Sequence, residues 1–327
     1  MLAKGNIYPV FFIRHCPVLS DPADKHQAKA STAPEPKLSG PFGLWSRLEA
    51  LGFRLVMGLM RSMTLETASR FSAWLWRALA PKLYRHKRAM THLALAFPDK
   101  SEAECRAIAL DMWSTLGATF AESFHLDQIA REPQRMTITA SEAAARAMAD
   151  HHGLVMVSLH MGNWEINALA AKQRGLRLAG VYQRIKNPLV DEMIRALRVD
   201  FYPKGLFSKG HEAVKGLMRV VGEGDTVALL ADVREGRGLA VPFFGRPAPS
   251  NPFPALLARG RKLPLVAARV LRQSAGRYTV QCELIEVLHT DDREADILAT
   301  TANIQAQFET WVRETPGQWM WGHRRWG

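Results

Sequence analysis

A histidine and a glutamate are spaced so that together they could move a proton. Residues 155–175 read VMVSLHMGNWEINALAAKQRG, in which His160 ends an apolar run that predicts a buried strand. Glu165 follows near the start of a predicted helix. A carboxylate on one imidazole nitrogen fixes the tautomer and leaves the other nitrogen free to accept a proton. The pattern predicts His160 as a general base and Glu165 as the carboxylate that orients it.

The residues between the two indicate how the pair could be positioned. Asn163 is a good N-cap for the predicted helix and Gly175 a good stop. Such a cap places Glu165 in the first helical turn, close to His160 and to the positive helix end. Backbone N–H groups at that helix start could also receive developing negative charge. On its own, the spacing more often marks a histidine that ends a strand and a glutamate that only complements the helix dipole.

Short apolar runs alternate with helical stretches from Gly153 onward. The runs are GLVMVSL, LAGVY, TVALLA, PLVAARV and YTVQCELIEV. Strands separated by helices predict an α/β fold with a central, mostly parallel mixed sheet flanked by helices. Ligand sites in such folds lie beyond the carboxyl ends of strands. His160 follows GLVMVSL and Asp232 follows TVALLA, so both are predicted to lie at that edge.

The chain divides into three predicted regions. Residues 1–40 combine YPVFFI with a tract rich in Pro, Ala, Ser and charge, which predicts a flexible leader. Residues 41–135 predict an amphipathic helical, membrane-associated region, in which Ser101 and Glu104 begin one helix with a capping box. Residues 136–327 form the predicted α/β catalytic domain.

The chain is strongly basic, which indicates anionic partners. Its 43 Lys and Arg outnumber 31 Asp and Glu, for a formal charge of +12. Nucleic acid, an anionic membrane face and phosphorylated substrates all fit such a balance. The sequence has no helix-turn-helix, RNP or zinc-finger pattern, and its most basic segment is rich in Leu, Met and Trp, so no nucleic-acid partner is expected. The three cysteines lack metal-ligand spacing, so no metal site is predicted.

Basic and large apolar residues are interleaved from residue 45 to residue 98. Arg47, Arg54 and Arg61 recur every seven residues and lie on one side of a helix. Much of the remaining helix surface is apolar: Leu48, Leu51, Leu55, Leu59 and Met60. The pattern is typical of a helix in a membrane interface, and equally of an amphipathic helix packed on its own domain. Trp74 and Trp76 favour the interface.

Any membrane association is expected to be peripheral or monotopic. Spanning a bilayer requires roughly 18 uninterrupted apolar residues, and no stretch of the sequence reaches that length. Arg54 and Arg61 interrupt the best candidate. The helix is therefore expected to lie on the membrane surface.

Five blocks between residues 85 and 327 occur in a recognisable order. They are AFPDKSEAE, HMGNWE, VYQRIKNPLVDEMIRALR, LLADVREGRGLAVPFFGRPA and PGQWMWGHRRW. Together they resemble the bacterial lipid A biosynthesis acyltransferases of the lauroyl and myristoyl type, which add the late, secondary acyl chains. HMGNWE also resembles the H-x4-[D/E] block of lipid acyltransferases in general. The resemblance implies an α/β fold like that of the glycerolipid acyltransferases.

The resemblance carries roles onto individual residues. It implies that His160 is the catalytic base and Glu165 its partner. The residues then expected to bind substrate are Arg198, Asp232, Asn163, Arg184 and Lys186. Arg198 could instead be solvated surface, whereas Arg184 and Lys186 could be either loop charge or phosphate contacts.

The function implied is acyl transfer from an acyl carrier protein thioester to a hydroxyl of a lipid A precursor. His160 would accept the hydroxyl proton. A phospholipid or another glycolipid is the alternative acceptor for the same His/Glu pair. No cofactor is implied beyond the carrier thioester. The expected partners are acyl carrier protein, a phosphorylated glycolipid and the anionic cytoplasmic face of the bacterial inner membrane.

Overall fold

A computed structural model describes residues 43–150 and 152–326, which contain eleven α-helices and nine strands. The predicted leader, residues 1–40, lies outside the described residues. The helices are α1 Leu44–Ser62, α2 Leu65–Leu79, α3 Tyr84–Ala96, α4 Glu102–Glu122, α5 Leu126–Arg131, α6 Glu142–Ala149, α7 Ile166–Gln173, α8 Pro188–Ala196, α9 His211–Gly222, α10 Phe253–Arg261 and α11 Arg293–Glu314. The strands are β1 Met136–Ala140, β2 Leu154–Ser158, β3 Leu178–Tyr182, β4 Leu206–Ser208, β5 Thr226–Leu230, β6 Leu239–Phe243, β7 Arg246–Ser250, β8 Leu265–Ser274 and β9 Arg277–Ile285.

Seven of these strands form one mixed sheet in the order β1-β9-β8-β2-β5-β3-β4. Adjacent strands in it are parallel, except that β8 and β9 form an antiparallel hairpin. Strands β6 and β7 form a separate antiparallel hairpin. The predicted α/β fold with a mostly parallel mixed sheet is confirmed.

Strand β2 is buried along its whole length. Val155 and Val157 contribute to one hydrophobic cluster, whereas Leu154 and Met156 contribute to a second. Successive side chains of a strand point to opposite faces, so the two clusters lie on opposite sides of the sheet. Burial on both faces explains why β2 is an unbroken apolar run in the sequence.

The helices that precede the sheet are packed against it. Helix α4 begins with the predicted capping box, in which Ser101 accepts from the Glu104 N–H and Glu104 accepts from the Ser101 N–H. Helices α2 and α4 approach closely at Gly117, where a Cβ atom would lie 2.5 Å from the Ser72 carbonyl oxygen. Residues of α3 and α4 belong to the same cluster as Val155, so this helical region and the sheet share a core.

Helix α1 leaves a row of leucines in solvent. Their exposed fractions range from 46% to 66%: Leu48, Leu51, Leu55 and Leu59. Phe53 and Met60 face the protein instead, so Met60 does not belong to the predicted apolar surface. Within the described residues, no helix is both long enough and apolar enough to cross a bilayer.

Two residues predicted to face a membrane interface are engaged with the protein instead. Arg61 donates to the Phe124 carbonyl oxygen at 2.7 Å and pairs with Asp127 at 3.1 Å. Trp76 packs against Trp113, with ring centroids 6.4 Å apart. The seven-residue spacing of the arginines did not predict that Arg61, whose side chain is still 44% exposed, is paired where α1 meets the turn after α4.

Candidate active site

Two loops at the carboxyl edge of the sheet bring His160 and Asp232 together. Strands β2 and β5 are adjacent and parallel, with Ser158 opposite Leu230. His160 lies two residues beyond Ser158, and Asp232 lies two residues beyond Leu230. The register of the two strands therefore places the imidazole and the carboxylate side by side.

The Asp232 carboxylate binds both the backbone and the ring of His160. Its Oδ2 accepts the His160 N–H at 2.9 Å, and its Oδ1 lies 2.8 Å from Nδ1. Trp319 Nε1 donates to Oδ2 at 2.8 Å. An ionised carboxylate only accepts hydrogen bonds, so Nδ1 carries the imidazole proton and Nε2 is the acceptor. This is the tautomer that a general base requires.

The charges around this pair favour an ionised Asp232 beside a neutral His323. Full burial works to raise the pKa of Asp232, but the charge and hydrogen bonds of His160 outweigh burial and hold that pKa well below its ordinary range. Burial lowers the pKa of His323 to about 3, so this imidazole is uncharged near pH 7. The negative charge of Asp232 is therefore available to stabilise a proton taken up by His160.

The C-terminal segment holds the backbone of the turn that carries His160. The Met320 N–H donates to the His160 carbonyl oxygen at 3.0 Å, and the Gly162 N–H donates to the Gln318 carbonyl oxygen at 2.9 Å. Met161 and Trp319 form an isolated antiparallel bridge between these two bonds. The last block of the sequence thus lies directly beside the turn that carries His160.

Gly162 is required by the shape of this turn. Its φ is +57°, and a Cβ atom there would lie 2.2 Å from the Val270 carbonyl oxygen. The Thr119 hydroxyl donates to the Gly162 carbonyl oxygen at 2.9 Å. Trp164 packs edge-on against the His160 ring, with centroids 4.9 Å apart. Backbone anchoring and ring packing together restrict how the imidazole can turn.

Glu165 pairs with Arg198 and not with His160. Its Oε1 lies 2.5 Å from Arg198 Nη2, and the two side chains are 7% and 17% exposed. Helix α7 begins at Ile166, so Glu165 is its N-cap and not part of its first turn. The predicted contact between Glu165 and the imidazole is not formed in this structure, because Asp232 occupies the Nδ1 side of the ring. Asp232, predicted to bind substrate, thus lies where Glu165 was expected.

Asn163 lies in the protein interior and not on a substrate-facing surface. It is fully buried, its Nδ2 donates to Glu122 Oε2 at 3.2 Å, and its Oδ1 accepts the Glu165 N–H at 3.3 Å. In this structure the Asn163 side chain contacts the protein, whereas contact with substrate was predicted. Arg184 and Lys186 are exposed in the loop between β3 and α8, at the same edge of the sheet as the turn that carries His160.

Fewer backbone amides are available for the predicted oxyanion site than the sequence suggested. Several backbone amides of the turn already donate within the protein: those of His160, Met161, Gly162 and Glu165. Asn163 is fully buried, so the expectation is reduced to the amide of the partly buried Trp164. In the ranges 43–150 and 152–326, no group of three or more His, Cys, Asp or Glu side chains could hold a metal ion.

Trp319 and His323, both in the C-terminal block, lie beside Asp232 and were not among the predicted catalytic or substrate-binding residues. Trp319 is fully buried. A buried indole N–H normally has an acceptor, and Asp232 provides it. The His323 ring packs edge-on against Trp319 at 4.8 Å between centroids. The signal that could have identified them was a polar aromatic cluster in an otherwise apolar segment.

Comparison with known proteins identifies the family of this chain. The sequence matches the family described as "Bacterial lipid A biosynthesis acyltransferase" over residues 48–327. It is 24% identical over 293 residues to the lipid A biosynthesis myristoyltransferase of Escherichia coli (strain K12), covering 86% of this chain and 85% of that protein. It is 23% identical over 295 residues to lipid A biosynthesis acyltransferase 1 of Shigella flexneri, with the same two shares. Because the family match includes the preceding helices, the sheet and both loops of the site, the resemblance is confirmed, and the chain belongs to the bacterial lipid A biosynthesis acyltransferase family.

Proposed function

We propose that the chain transfers a fatty acyl group from an acyl carrier protein thioester to a hydroxyl of a lipid A precursor. Its family makes it an acyltransferase of lipid A biosynthesis. The observation that supports the mechanism is the 2.8 Å contact between His160 Nδ1 and Asp232 Oδ1. This contact leaves Nε2 of His160 as the proton acceptor at the carboxyl edge of the sheet.

The proposed reaction uses His160 first as a base and then as an acid. Nε2 accepts the proton of the acceptor hydroxyl as that oxygen attacks the thioester carbonyl carbon. Asp232 holds the ring and stabilises the imidazolium that forms. When the tetrahedral intermediate collapses, the carbon–sulfur bond breaks and the imidazolium returns its proton to the departing sulfur. The products are an ester and the free carrier thiol.

The remaining polar residues take supporting roles in this proposal. The amide of Trp164 is the proposed donor to the oxyanion of the intermediate. The Glu165–Arg198 pair fastens the start of α7 to the segment that follows α8. Arg184 and Lys186 are exposed cations at the same sheet edge, where a phosphorylated glycolipid or an acidic carrier protein would find complementary charge.

The row of exposed leucines on α1 supports docking of the protein on the anionic cytoplasmic face of the inner membrane. Its four leucines (Leu48, Leu51, Leu55 and Leu59) are about half exposed, and Trp45 and Trp74 are 80% and 63% exposed. Arg47 and Arg54 are exposed on the same helix. Apolar side chains that enter the interface beside arginines that reach phosphates are typical of peripheral attachment. The acceptor lipid would then reach the site from the membrane surface.

The test is a reaction of the purified chain with a tetra-acylated lipid A precursor and acyl carrier protein thioesters, followed by mass spectrometry. The expected product is the precursor with one additional ester-linked acyl chain. Coenzyme A thioesters offered in parallel test whether the carrier protein is needed. A phospholipid and an unrelated glycolipid test the alternative acceptors. Acylation of either of these, with none of the lipid A precursor, would overturn the proposed acceptor.

A further inference from the structure

Glu122, the last residue of α4, has a fully buried carboxylate that the proposed reaction does not use. Its Oε1 accepts from the Ser69 hydroxyl at 2.6 Å, from Arg272 Nε at 3.0 Å and from the Gly276 N–H at 3.4 Å. Its Oε2 accepts from Asn163 Nδ2 at 3.2 Å. The charge is therefore paired with an arginine and hydrogen-bonded on both oxygens, as a buried charge requires.

The four groups that hydrogen-bond to this carboxylate are all donors, and the Tyr278 hydroxyl also lies beside it. An ionised carboxylate accepts on both oxygens, whereas a glutamine has one acceptor and one donor. The requirement at position 122 is therefore for negative charge and not only for shape. Ser69 belongs to α2, and Arg272 and Gly276 belong to the β8–β9 hairpin. The fourth donor, Asn163, belongs to the turn that carries His160.

Asn163 connects this carboxylate to the catalytic turn. Because its Nδ2 donates to Glu122, its Oδ1 is directed at the Glu165 N–H, which it accepts at 3.3 Å. Glu122 thus determines which way the amide faces. His160 and Glu165 flank Asn163 within six residues of chain, so a reoriented amide would disturb the position of both.

We propose that Glu122 is a positioning residue for acyl transfer: through Asn163 it fixes the turn that carries His160. The proposal rests on the proposed function of His160 as the base. It implies that the contact of Oε2 with Asn163 matters for turnover, whereas the three contacts of Oε1 matter for folding. Displacing a reacting group by about 1 Å costs on the order of 100-fold in rate, so a modest shift of the turn is measurable.

The polarity of the Glu122–Asn163 contact can be reversed by mutation. Glu122→Gln places an amide donor against the Asn163 amide donor and breaks the contact. Asn163→Asp sets a second carboxylate against the first across a 3.2 Å contact. The double variant Glu122→Gln/Asn163→Asp lets the new amide donate to the new carboxylate, which can still accept the Glu165 N–H. Only the double variant restores the link to the turn.

The expected kinetics separate positioning from packing. Glu122→Gln should lower kcat by about 10- to 100-fold with KM within about threefold of wild type. Asn163→Asp should be worse, and the double variant should recover at least tenfold over either single change. Ser69→Ala is the matched control, because it removes a donor to Oε1 without touching Asn163. It should lower the melting temperature and leave kcat within about twofold of wild type.

A second measurement does not depend on the reaction. Carbethoxylation of His160 by diethyl pyrocarbonate, followed by peptide mass spectrometry, reports the accessibility and nucleophilicity of the imidazole. Glu122→Gln should change the rate at His160 by at least about threefold, and the double variant should restore it, while exposed His289 reacts at an unchanged rate in every protein. If wild-type protein transfers no acyl group, the proposed function fails. The rate of His160 carbethoxylation still decides whether Glu122 positions the turn.

Two results would overturn the proposal. One is Glu122→Gln with wild-type kcat and an unchanged rate of His160 modification. The other is a folded double variant that is no more active than either single variant. Should Glu122→Gln fail to fold, Asn163→Ala provides the same test, because it cuts the link and leaves the three contacts of Oε1 in place. Wild-type kcat and His160 reactivity in Asn163→Ala would equally exclude a positioning role.

Discussion

Replacing Asp232 with asparagine should remove most of the catalytic rate while preserving the shape of the site. Asp232 accepts three hydrogen bonds, from the His160 N–H, from His160 Nδ1 and from Trp319 Nε1, at 2.8 to 2.9 Å. An amide keeps one acceptor oxygen. If that oxygen stays with the two donors at Oδ2, the new NH2 group faces Nδ1 and drives the imidazole proton to Nε2. The base then has no lone pair to offer the acceptor hydroxyl.

The expected size of this effect follows from the role of such carboxylates. Asparagine in place of the aspartate behind a catalytic histidine costs about 10⁴ in kcat where the tautomer is reversed. We expect kcat to fall by about 10³- to 10⁴-fold, which corresponds to roughly 4 to 5.5 kcal/mol of transition-state stabilisation.

The effect of Asp232 on the stability of the fold should also change with pH. The lowered pKa of Asp232 stabilises the fold above its ordinary pKa of about 3.9, and this contribution is lost as the pH falls below that value. The difference in unfolding free energy between wild type and Asp232→Asn should therefore shrink in acid.

The assay is the initial rate of acyl transfer at saturating donor and acceptor, with product counted by mass spectrometry. Asp225→Asn is the matched control, because Asp225 is also buried and ion-paired but precedes β5, at the opposite end of the strand. It should cost stability without lowering kcat more than about twofold. If Asp232→Asn folded normally and kept more than about a tenth of the wild-type rate, Asp232 could not be the group that sets the His160 tautomer.

Four further predictions concern the surroundings of the site and the exposed helix. Trp319→Phe removes one hydrogen bond to a buried charge and keeps most of the ring, so kcat should fall by about 10- to 100-fold, which the same rate assay measures. The folded-state pKa of His323, about 3, lies below its ordinary value, so the unfolded chain takes up this proton first and stability is lost as the pH falls below about 6.5. In urea unfolding, the loss of stability between pH 7 and pH 5 should be about 2 kcal/mol smaller for His323→Asn than for wild type, and an equal loss in the two proteins would contradict this assignment. Leu51→Gln and Leu55→Gln should each weaken sedimentation with anionic vesicles by about tenfold or more, because each removes apolar area that would enter the interface. Arg61→Gln should lower the melting temperature without weakening vesicle binding, and the reverse pattern would place Arg61 on the membrane.

The location of the site was predictable from sequence, but the partner of its histidine was not. The apolar runs of β2 and β5 identified both strands, and the rule that sites lie beyond carboxyl ends selected His160 and Asp232. Their contact depends on β2 and β5 being neighbours, although the two residues are 72 positions apart. Glu165, only five residues from His160, fitted the local helix pattern better. Strand order is a tertiary property, and local spacing does not contain it.

Strand identification shows the same limit. The five apolar runs correspond to β2, β3, β5, β8 and β9. Strands β1 and β4 of the seven-stranded sheet were not predicted, and neither was the β6–β7 hairpin. Strand β4 has three residues, all partly buried, and β1 is an edge strand with a single fully buried residue, so neither produces a strong apolar run. Central strands are recognisable because they are buried on both faces, whereas edge strands are not.

The central claim, that His160 is the base of acyl transfer, is tested most directly by the single-turnover rate of purified His160→Ala. The lipid A precursor and an acyl carrier thioester are mixed with enzyme in excess, and the acylated product is counted by mass spectrometry. Circular dichroism and vesicle sedimentation establish that the variant retains its fold and its membrane binding. The account predicts a rate about 10²- to 10⁴-fold below wild type. A rate equal to that of wild type would contradict it.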